Sequence, residues 1–563
     1  MARRIPVLDR LLAVVARHHA QRCLDRFLTA ARRATAVQEQ TLLNKVRRNA
    51  DSDFGRAFGF GSIRNYRDFV RQVPILRYED HRPYIERVKR GETSAMFGGR
   101  QRVLMFALTS GTTSEPKYIP VTKAFLDECR AGWNAFGVKA LLDHPDGFLR
   151  PILQVSSRMD EGRTEAGIPC GAITGLMAAT QKRLVRRYYV APPALAYIDD
   201  TAAKYYATMR LGVPADVAFV ITASPATQLN LARTADRHRE QLIRDIRDGT
   251  LWPDLPIGAD IRDRLRPFLL PAPKTAKRLE DLVNRHGALL PKHYWNLAFL
   301  GNWTGGTMGL YLRDFPRYFG DTPVRDVGLI ASEGRMTLPV EDHTPVGILD
   351  VASHFFEFIP RDEYESDRPT VLRSHELKEG GEYFILLTTS AGLYRYDIGD
   401  LVRMHGYYGE APQLEFLNKG THIASIAGEK LTEKQVILAM GRAAAALAAP
   451  IDTFILAPQW AEVPYYRLHI DSEAGGPAVA NLLAQRLDRE LQAVNIEYAS
   501  KRHSGRLGAV RLNLLPPGFL SRLDDRLRSR HRTGNEQYKH QYLYVTPGAD
   551  ADFPVSDPKP AAT

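Results

Sequence analysis

The sequence lacks the features of a disulfide-stabilised, membrane-spanning or zinc-binding protein. Its 563 residues contain three cysteines, Cys23, Cys129 and Cys170. They are far apart and odd in number, so a reducing compartment is expected rather than a disulfide framework. No window reaches the ~18 uninterrupted apolar residues of a membrane helix, and HExxH and paired CxxC motifs are missing, which argues against zinc. We expect a cytoplasmic protein without integral membrane contact.

The net charge of the chain excludes fewer classes of protein than these missing features do. There are 76 Lys and Arg against 64 Asp and Glu, a formal net charge of +12, which favours anionic partners without bearing on fold. The basic residues are dispersed, and most alternate with acidic or apolar residues, as on solvated helix faces. We therefore expect no nucleic-acid partner, although a non-catalytic basic protein that binds RNA or an anionic membrane stays open as an alternative.

Hydrophobic patterning predicts an α/β fold with a large and a small domain. The opening MARRIPVLDRLLAVVARHHAQ is predicted to be an amphipathic surface helix, and residues 8–50 have helical spacing throughout. From about 100 to 330, apolar runs alternate with helical stretches, as in a sheet covered by helices. Strand-like segments at 345–417 predict a mostly antiparallel, β-barrel-like subdomain.

A second domain is predicted after residue 418, where the pattern becomes helix, strand, strand, helix, strand, helix. The expected boundaries are 1–417 for the large domain, 418–546 for a small, mobile α+β domain, and 547–563 for a disordered tail. The tail is predicted because PGADADFPVSDPKPAAT lacks aromatic or aliphatic periodicity.

The stretch ALTSGTTSEPKYIPVT, residues 107–122, is a candidate phosphate-binding loop. Gly111 and the surrounding hydroxyl side chains would let backbone N–H groups converge on phosphate oxygens, and Lys117 would supply charge. An apolar strand precedes the loop, and a helix after it would help to hold the anion. Gly111 is followed by TTSEPK, so this is not a Walker A loop. An ordinary Ser/Thr-rich turn remains the structural alternative.

Several blocks give the chain a family resemblance. TSGTTSEPK resembles the phosphate loop of the adenylate-forming superfamily. Five further blocks resemble the acyl acid amido synthetases. This family comprises the Gretchen Hagen auxin-responsive proteins and their bacterial relatives. The blocks are YRDFVRQVPILRYEDHRPYIERVKRGE (66–92), LARTAD (231–236), FFEFIP (355–360), VRLNLLPPGFLSRLDDR (510–526) and GNEQYKHQY (534–542). These blocks follow one another in the family's order from about residue 35 to 545.

The resemblance implies which residues contact the nucleotide. The loop would contribute Thr109, Ser110, Gly111, Thr112, Thr113 and Lys117. Ser332 and Glu333 follow an apolar run, and a carboxylate at such a place can hold Mg²⁺ on ATP phosphates. Asp400 matches the superfamily's acid for the ribose diol, because one carboxylate accepts from two hydroxyls. Asp397 is interpreted as a surface or turn acid.

Glycines and lysines complete the implied site. Gly305 and Gly306 resemble the family's acyl and adenine wall, where backbone can approach a flat ring closely. Lys539, in a Gln-Tyr-Lys triplet, is the main catalytic candidate, since its compact charge could bridge the acyl carboxylate and the α-phosphate. Lys430 lies in a segment that resembles the superfamily's post-hinge region. The Gly-Arg pair common in the superfamily is missing near Asn418, and His540 stands where plant members of the family have Pro-Arg nearby.

The resemblance implies an ATP- and Mg²⁺-dependent ligase. It would activate a carboxylic acid as acyl-AMP and transfer the acyl group to the amine of an amino acid. We expect a monomer. An acyl-CoA or acyl-carrier ligase of the same superfamily is the nearest alternative function.

Overall fold

The computed structural model describes residues 21–110, 116–181, 183–420, 423–449, 451, 453–472, 476–530 and 540–555. The surface helix predicted for the opening therefore lies almost entirely outside the described residues. The chain forms two compact units, one reaching Thr109 and continuing over Lys117–Leu417, the other containing the chain from Asn418 onward. Within the described ranges, no helix combines the length and the apolar character needed to cross a bilayer.

The N-terminal unit contains both classes of secondary structure throughout. Its helices are α1 (residues 21–32), α2 (Ala34–Arg48), α3 (Asp53–Ala57), α4 (Tyr66–Gln72), α5 (Tyr78–Lys89), α6 (Lys123–Asp143), α7 (Ile173–Ala179), α8 (Arg183–Arg186), α9 (Thr201–Gly212), α10 (Pro225–Arg237), α11 (Arg239–Asp248), α12 (Ala259–Leu265), α13 (Pro273–His286), α14 (Pro291–Tyr294) and α15 (Phe315–Phe319). Its strands are β1 (Val103–Ser110), β2 (Pro116–Thr122), β3 (Ile152–Gln154), β4 (Gly162–Arg163), β5 (Pro169–Gly171), β6 (Phe219–Ile221), β7 (Phe299–Asn302), β8 (Val324–Asp326), β9 (Ile330–Ala331), β10 (Gly334–Arg335), β11 (Thr337–Leu338), β12 (Gly347–Leu349), β13 (Phe355–Pro360), β14 (Leu372–Arg373), β15 (Glu382–Thr388), β16 (Tyr396–Tyr408) and β17 (Ala411–Lys419).

A parallel sheet forms one layer of this unit. Its strand order is β3-β6-β7-β8, and every neighbouring pair is parallel. The apolar strands β6 and β7 are buried along their whole length, as expected for parallel strands covered on both faces. The carboxyl ends of β7 and β8 lie side by side, since Asn302 pairs with Asp326.

A second sheet contains the strands on either side of the candidate phosphate loop. Its order is β2-β1-β5-β4, so the loop joins two neighbouring strands. A helix was predicted after the stretch 107–122, and α6 begins directly after it, at Lys123. The prediction did not include the strand β2, which forms the second half of that stretch because the β-branched and aromatic residues of KYIPVT favour a strand. Thr122 then caps α6 by accepting a hydrogen bond from the Phe125 N–H at 3.2 Å.

The segment predicted as β-barrel-like belongs to an open sheet. The order of its seven strands is β11-β12-β17-β16-β15-β13-β14, and the registers of β13–β15 and β15–β16 are antiparallel. Among the described residues, the end strands β11 and β14 do not pair with each other. Each is two residues long, which is too short to supply the staggered hydrogen-bond ladder that closes a barrel.

The C-terminal unit has its own sheet and core. Its helices are α16 (Glu433–Ala446), α17 (Gly476–Val494), α18 (Ile496–His503) and α19 (Phe519–Arg530), and its strands are β18 (Ile423–Ala424), β19 (Leu431–Thr432), β20 (Ile455–Gln459), β21 (Tyr465–Asp471) and β22 (Arg511–Leu515). The sheet order is β20-β21-β22. Apolar side chains of α16, α17 and this sheet form one buried cluster.

The predicted disordered tail does not hold for residues 547–555. Phe553 is buried in a cluster with Ile455, Leu515 and Leu520 of the C-terminal unit. The buried carboxylate of Asp550 accepts a hydrogen bond from His469 Nε2 at 2.7 Å and from Gln459 Nε2 at 2.8 Å. A single Phe and a single Asp give no periodicity, so the sequence contained no sign of this anchoring.

Candidate active site

Asp326 organises the carboxyl edge of the parallel sheet. Its Oδ2 accepts hydrogen bonds from the N–H of Thr304 at 2.6 Å and from the Thr304 hydroxyl at 2.7 Å. Its Oδ1 accepts from the N–H of Gly328 at 2.6 Å. Burial nevertheless raises the pKa of Asp326 to about 6. The carboxylate thus fixes the turn that follows β7, and sequence reasoning missed it because nothing local marks it.

The turn held by Asp326 contains the predicted Gly305 and Gly306. Trp303 precedes it and donates its indole N–H to the carbonyl of Gly328 at 2.9 Å. A Cβ on Gly305 would lie 3.0 Å from Pro345 Cβ, so neighbouring atoms come unusually close to this backbone. Gly306 begins a 3₁₀ turn that runs to Asp314. These glycines therefore lie at the carboxyl edge, where open α/β sheets bind their ligands.

Ser332 and Glu333 form the two-residue turn between β9 and β10. The Glu333 side chain is buried. The hydroxyl of Tyr396, the first residue of β16, lies 3.5 Å from Glu333 Oε1. Burial and then the charge of Glu333 raise the pKa of Tyr396 well above its ordinary value, so the phenol keeps its proton.

Lys117 joins this group from β2. Its Nζ donates to the Tyr396 hydroxyl at 3.3 Å and stands 5.4 Å from the centre of the Tyr78 ring. The structure thus brings together the predicted Lys117 and Glu333 through Tyr396, a residue that the sequence analysis did not name. An ammonium, a phenol and a carboxylate in contact form a polarised group suited to binding phosphate and its counterion.

Asp400 follows an irregularity in the same strand. The β15–β16 register shifts between Phe384 and Leu386, and Gly399 adopts a φ of +72° there. Asp397 supports this bulge by accepting the Gly399 N–H at 2.9 Å and the Tyr364 hydroxyl at 2.8 Å. Bulges re-aim side chains beside active sites. Asp397 therefore shapes the strand, and the buried Asp400 is the acid that comes after the bulge.

The phosphate loop is described only at its two ends. Thr109 is half-buried in β1, and Ser110 is the last residue of that strand. The predicted residues Gly111, Thr112 and Thr113 lie outside the described residues.

The C-terminal unit holds the remaining candidates. Lys430 has a left-handed φ of +50°. It follows Glu429, a buried acid that the sequence reading missed and that accepts the N–H groups of Ile426 at 2.8 Å and Ala427 at 2.7 Å. Burial raises the pKa of Glu429. Lys539 lies outside the described residues. The next residue, His540, contacts the Asp524 carboxylate at 2.9 Å through Nδ1 and the Phe454 carbonyl at 2.9 Å through Nε2.

The donor chemistry near Glu333 fits a magnesium ion better than a transition metal. Within the described ranges, no three or more His, Cys, Asp or Glu side chains are grouped as metal ligands. Mg²⁺ needs only one or two protein carboxylates when substrate phosphates and water complete its shell. The buried Glu333 side chain supplies one such carboxylate at this turn.

Three domain profiles match the sequence in order. They are the GH3 family N-terminal domain over residues 23–324, the GH3 family central domain over 347–419 and the GH3 family C-terminal domain over 434–547. The chain belongs to the GH3 family. This confirms the resemblance to the acyl acid amido synthetases on which the sequence-based prediction rested.

Relatives match this GH3 chain almost from end to end. Jasmonoyl–L-amino acid synthetase JAR4 of Nicotiana attenuata is 25% identical over 535 residues, which cover 89% of this chain and 90% of the relative. Indole-3-acetic acid-amido synthetase GH3.8 of Oryza sativa subsp. indica is 26% identical over 530 residues, covering 90% and 87%. The predicted enzyme class, an amido synthetase, is confirmed by this family membership.

Solved structures share the fold. A GH3.15 acyl acid amido synthetase in complex with 2,4-DB aligns with a TM-score of 0.65 at 21% identity, over 95% of this chain and 96% of that one. A 2-hydroxyisobutyryl-CoA ligase in complex with 2-HIB-AMP and CoA aligns with a TM-score of 0.52 at 13% identity, over 92% and 90%. The predicted α/β fold of the adenylate-forming type is thereby confirmed, apart from the barrel-like subdomain.

Proposed function

We propose that this GH3 protein joins a carboxylic acid to the amine of an amino acid at the expense of ATP. The observation that carries the proposal is the similarity to amido synthetases over about nine-tenths of both chains. In the first half-reaction, an oxygen of the acid attacks the α-phosphorus, and the bond to the β-phosphate breaks with loss of pyrophosphate. In the second, the amine nitrogen attacks the acyl carbon, the bond to AMP breaks, and the amine loses a proton.

The proposed nucleotide site uses residues that precede Asn418 in the chain. Thr109, Ser110, Gly111, Thr112, Thr113 and Lys117 would hold phosphates, Asp400 the ribose hydroxyls, and Gly305 and Gly306 one wall of the acyl and adenine pocket. The contact between Lys117 and Tyr396 supports the first role, because it places a positive charge beside a buried acid. Such fixed charges stabilise a transition state without reorganisation.

Glu333, with Ser332 beside it, is proposed to hold Mg²⁺. When bound, the ion would neutralise phosphate charge and assist the departure of pyrophosphate. The residues of the chain would position the acid and ATP and exclude water. Lys539 and Lys430 are proposed as the catalytic lysines of the C-terminal unit. We further propose a cytoplasmic monomer, in keeping with three cysteines that form no disulfide with one another.

The first experiment measures ATP–pyrophosphate exchange with the purified chain and a panel of carboxylic acids. Jasmonic and indole-3-acetic acids belong in the panel because relatives are named for them. Glu333→Gln serves as the low-activity control. Exchange that depends on one class of acid supports the proposal, whereas no exchange with any acid favours a non-catalytic binding protein.

The acceptor is then decided with the same acid. Amino acids and CoA are offered separately, and the acyl product is identified by mass. Amide formation supports the proposal. Thioester formation alone would favour the alternative function, an acyl-CoA ligase. The 2-hydroxyisobutyryl-CoA ligase that shares the fold is named as such an enzyme.

A further inference from the structure

The turn that carries Glu333 lacks the backbone geometry that two-residue hairpins favour. Ser332 and Glu333 link β9 and β10, which pair only through Ala331 with Gly334 and Ile330 with Arg335. Two-residue hairpins favour turns with a positive φ, because other turn types splay the strands. Neither Ser332 nor Glu333 has a positive φ. This short hairpin therefore needs support from outside itself.

Arg335 supplies that support. Its Nη1 donates to the carbonyl of Val327 at 2.9 Å and to that of Thr337 at 3.2 Å. Its guanidinium carbon stands 4.6 Å from the ring centre of Trp133, a distance typical of a cation–π contact. Val327 directly follows Asp326, so Arg335 ties the hairpin to the carboxyl edge of the parallel sheet.

Helix α6 leaves room for this arginine. A Cβ on Gly132 would lie 2.3 Å from Arg335 Cδ and 3.0 Å from its Nε. The Arg335 side chain is 2% exposed, and within the described residues its Nε and Nη2 have no hydrogen-bond partner. A buried cation with unsatisfied donors costs free energy. The charge of the buried Asp350 offsets part of this cost, so the contacts of Arg335 with the Val327 and Thr337 carbonyls and with Trp133 are the observations that point to its role.

We propose that Arg335, stacked on Trp133 and seated over Gly132, is a positioning residue that holds the Glu333 carboxylate for Mg²⁺ and nucleotide. The inference rests on the function proposed for Glu333. Arg335 itself touches neither nucleotide nor acid in this proposal. It fixes the turn, and through the turn the distance of Glu333 from Lys117 and Tyr396.

The test uses Arg335→Met in the full-length protein. ATP–pyrophosphate exchange is measured against Mg²⁺, ATP and acid separately, and binding of ATP with and without Mg²⁺ is measured by calorimetry in the absence of acid, where no turnover occurs. Loss of an outer-shell support typically costs about 10–100-fold in metal affinity or activity. We expect the Mg²⁺ half-saturation and the KM for ATP to rise by about that range, while the KM for the acid changes little and excess Mg²⁺ restores part of the rate.

Arg210→Met is the matched control. Arg210 is also buried, and it donates to the backbone carbonyls of Thr250 at 2.9 Å and Leu270 at 3.4 Å. Its loss should lower thermal stability without changing the Mg²⁺ dependence. Arg335→Lys keeps the charge and a donor, so it should retain more activity than Arg335→Met. If Arg335→Met does not fold, Gly132→Ala replaces it, because the added methyl displaces the arginine stem while every polar group remains.

Two outcomes overturn the inference. One is an unchanged Mg²⁺ and ATP dependence in folded Arg335→Met; the other is an equal rise in the KM for ATP and for the acid, which would indicate a general structural defect. Glu333→Gln separates the two proposals. If this variant alters the Mg²⁺ dependence and Arg335→Met does not, only the positioning role fails. If Glu333→Gln leaves it unchanged, the role proposed for Glu333 fails, and the inference fails with it.

Discussion

The free energy of unfolding of Asp326→Asn, relative to that of the wild type, should increase as the pH rises, because the wild-type protein has a buried carboxyl group that ionises. Burial raises its pKa from 3.8 to about 6, although three hydrogen bonds from Thr304 and Gly328 support the charged form. At ~1.4 kcal/mol for each pKa unit, the difference between 3.8 and about 6 corresponds to about 3 kcal/mol. The ionised carboxylate destabilises the fold by that amount relative to the protonated acid.

The sign follows from proton binding. Between pH 3.8 and about 6, folded Asp326 keeps a proton that the unfolded chain has released. Rising pH therefore lowers the free energy of unfolding through this window. Asparagine does not titrate, so the variant lacks this loss. Its amide N–H₂ faces donors that the carboxylate accepted, which costs about 1–3 kcal/mol. That cost is the same at every pH and cancels when two pH values are compared.

The assay is urea unfolding of the N-terminal unit, followed by tryptophan fluorescence at pH 5 and pH 8. Of the full effect, about 1.4 kcal/mol falls between these two values by the linkage relation. The free energy of unfolding of Asp326→Asn, relative to wild type, should rise by about this amount. Asp248→Asn is the control: its hydrogen bond to Arg247 lowers the pKa of this exposed acid, so Asp248 is ionised in the folded and the unfolded chain at both pH values, and the free energy of unfolding of this variant, relative to wild type, should not change between them. An equal difference at both pH values would refute the reasoning.

Three further predictions address the nucleotide, the catalytic lysine and the C-terminal anchor. Asp400→Asn should raise the KM for ATP about 10- to 150-fold, since a charge-assisted hydrogen bond contributes about 1.5–3 kcal/mol; exchange kinetics in which the KM for the acid rises instead would contradict the ribose role. Lys539→Ala should slow pyrophosphate release about 10²–10³-fold while still converting synthetic acyl-AMP and amine to amide, and loss of neither step would identify an ordinary surface lysine. Asp550→Ala should destabilise the C-terminal unit by about 1–3 kcal/mol, because the donors of His469 and Gln459 lose their acceptor. Burial raises the pKa of Asp550, but the hydrogen bond from His469 helps to lower it overall. The destabilisation caused by Asp550→Ala should therefore be smaller in thermal melts at acidic pH. An unchanged melting temperature at neutral pH would show that the anchor contributes nothing.

The sequence predicts a helix or strand well where the segment itself contains the periodicity and the capping residues of that element. The first helix predicted after residue 418 is α16, and Thr432 accepts the Gln435 N–H at its start, as a capping residue should. The second strand predicted there is β21. By contrast, the apolar runs noted between about 100 and 330 do not mark strand ends, since β7 begins only at Phe299. Such short apolar runs do not show where pairing with neighbouring strands begins.

The candidate site could be predicted only as far as a family motif marks it. Glu333 and Asp400 were named because they stand in recognisable blocks. Asp326, Tyr396 and Arg335 were not, because their roles arise from partners distant in sequence. Asp397 and Asp400 are both acids of one short segment, and only the register shift and the positive φ of Gly399 distinguish the acid that shapes the bulge from the acid that follows it.

Residues 66–92, the N-terminal block that resembles the family, contact the strands that carry the distant site residues. Leu76 pairs with the start of β16, accepting the Asp397 N–H at 2.8 Å and donating to the Arg395 carbonyl at 3.0 Å. Tyr78, at the start of α5, accepts the Tyr118 N–H at 2.8 Å and places its ring beneath the Lys117 ammonium. One short stretch thus braces both the strand that carries Tyr396 and Asp400 and the strand that carries Lys117. Because Leu76 and Tyr78 are only two residues apart, a change there would disturb the proposed phosphate and ribose contacts together.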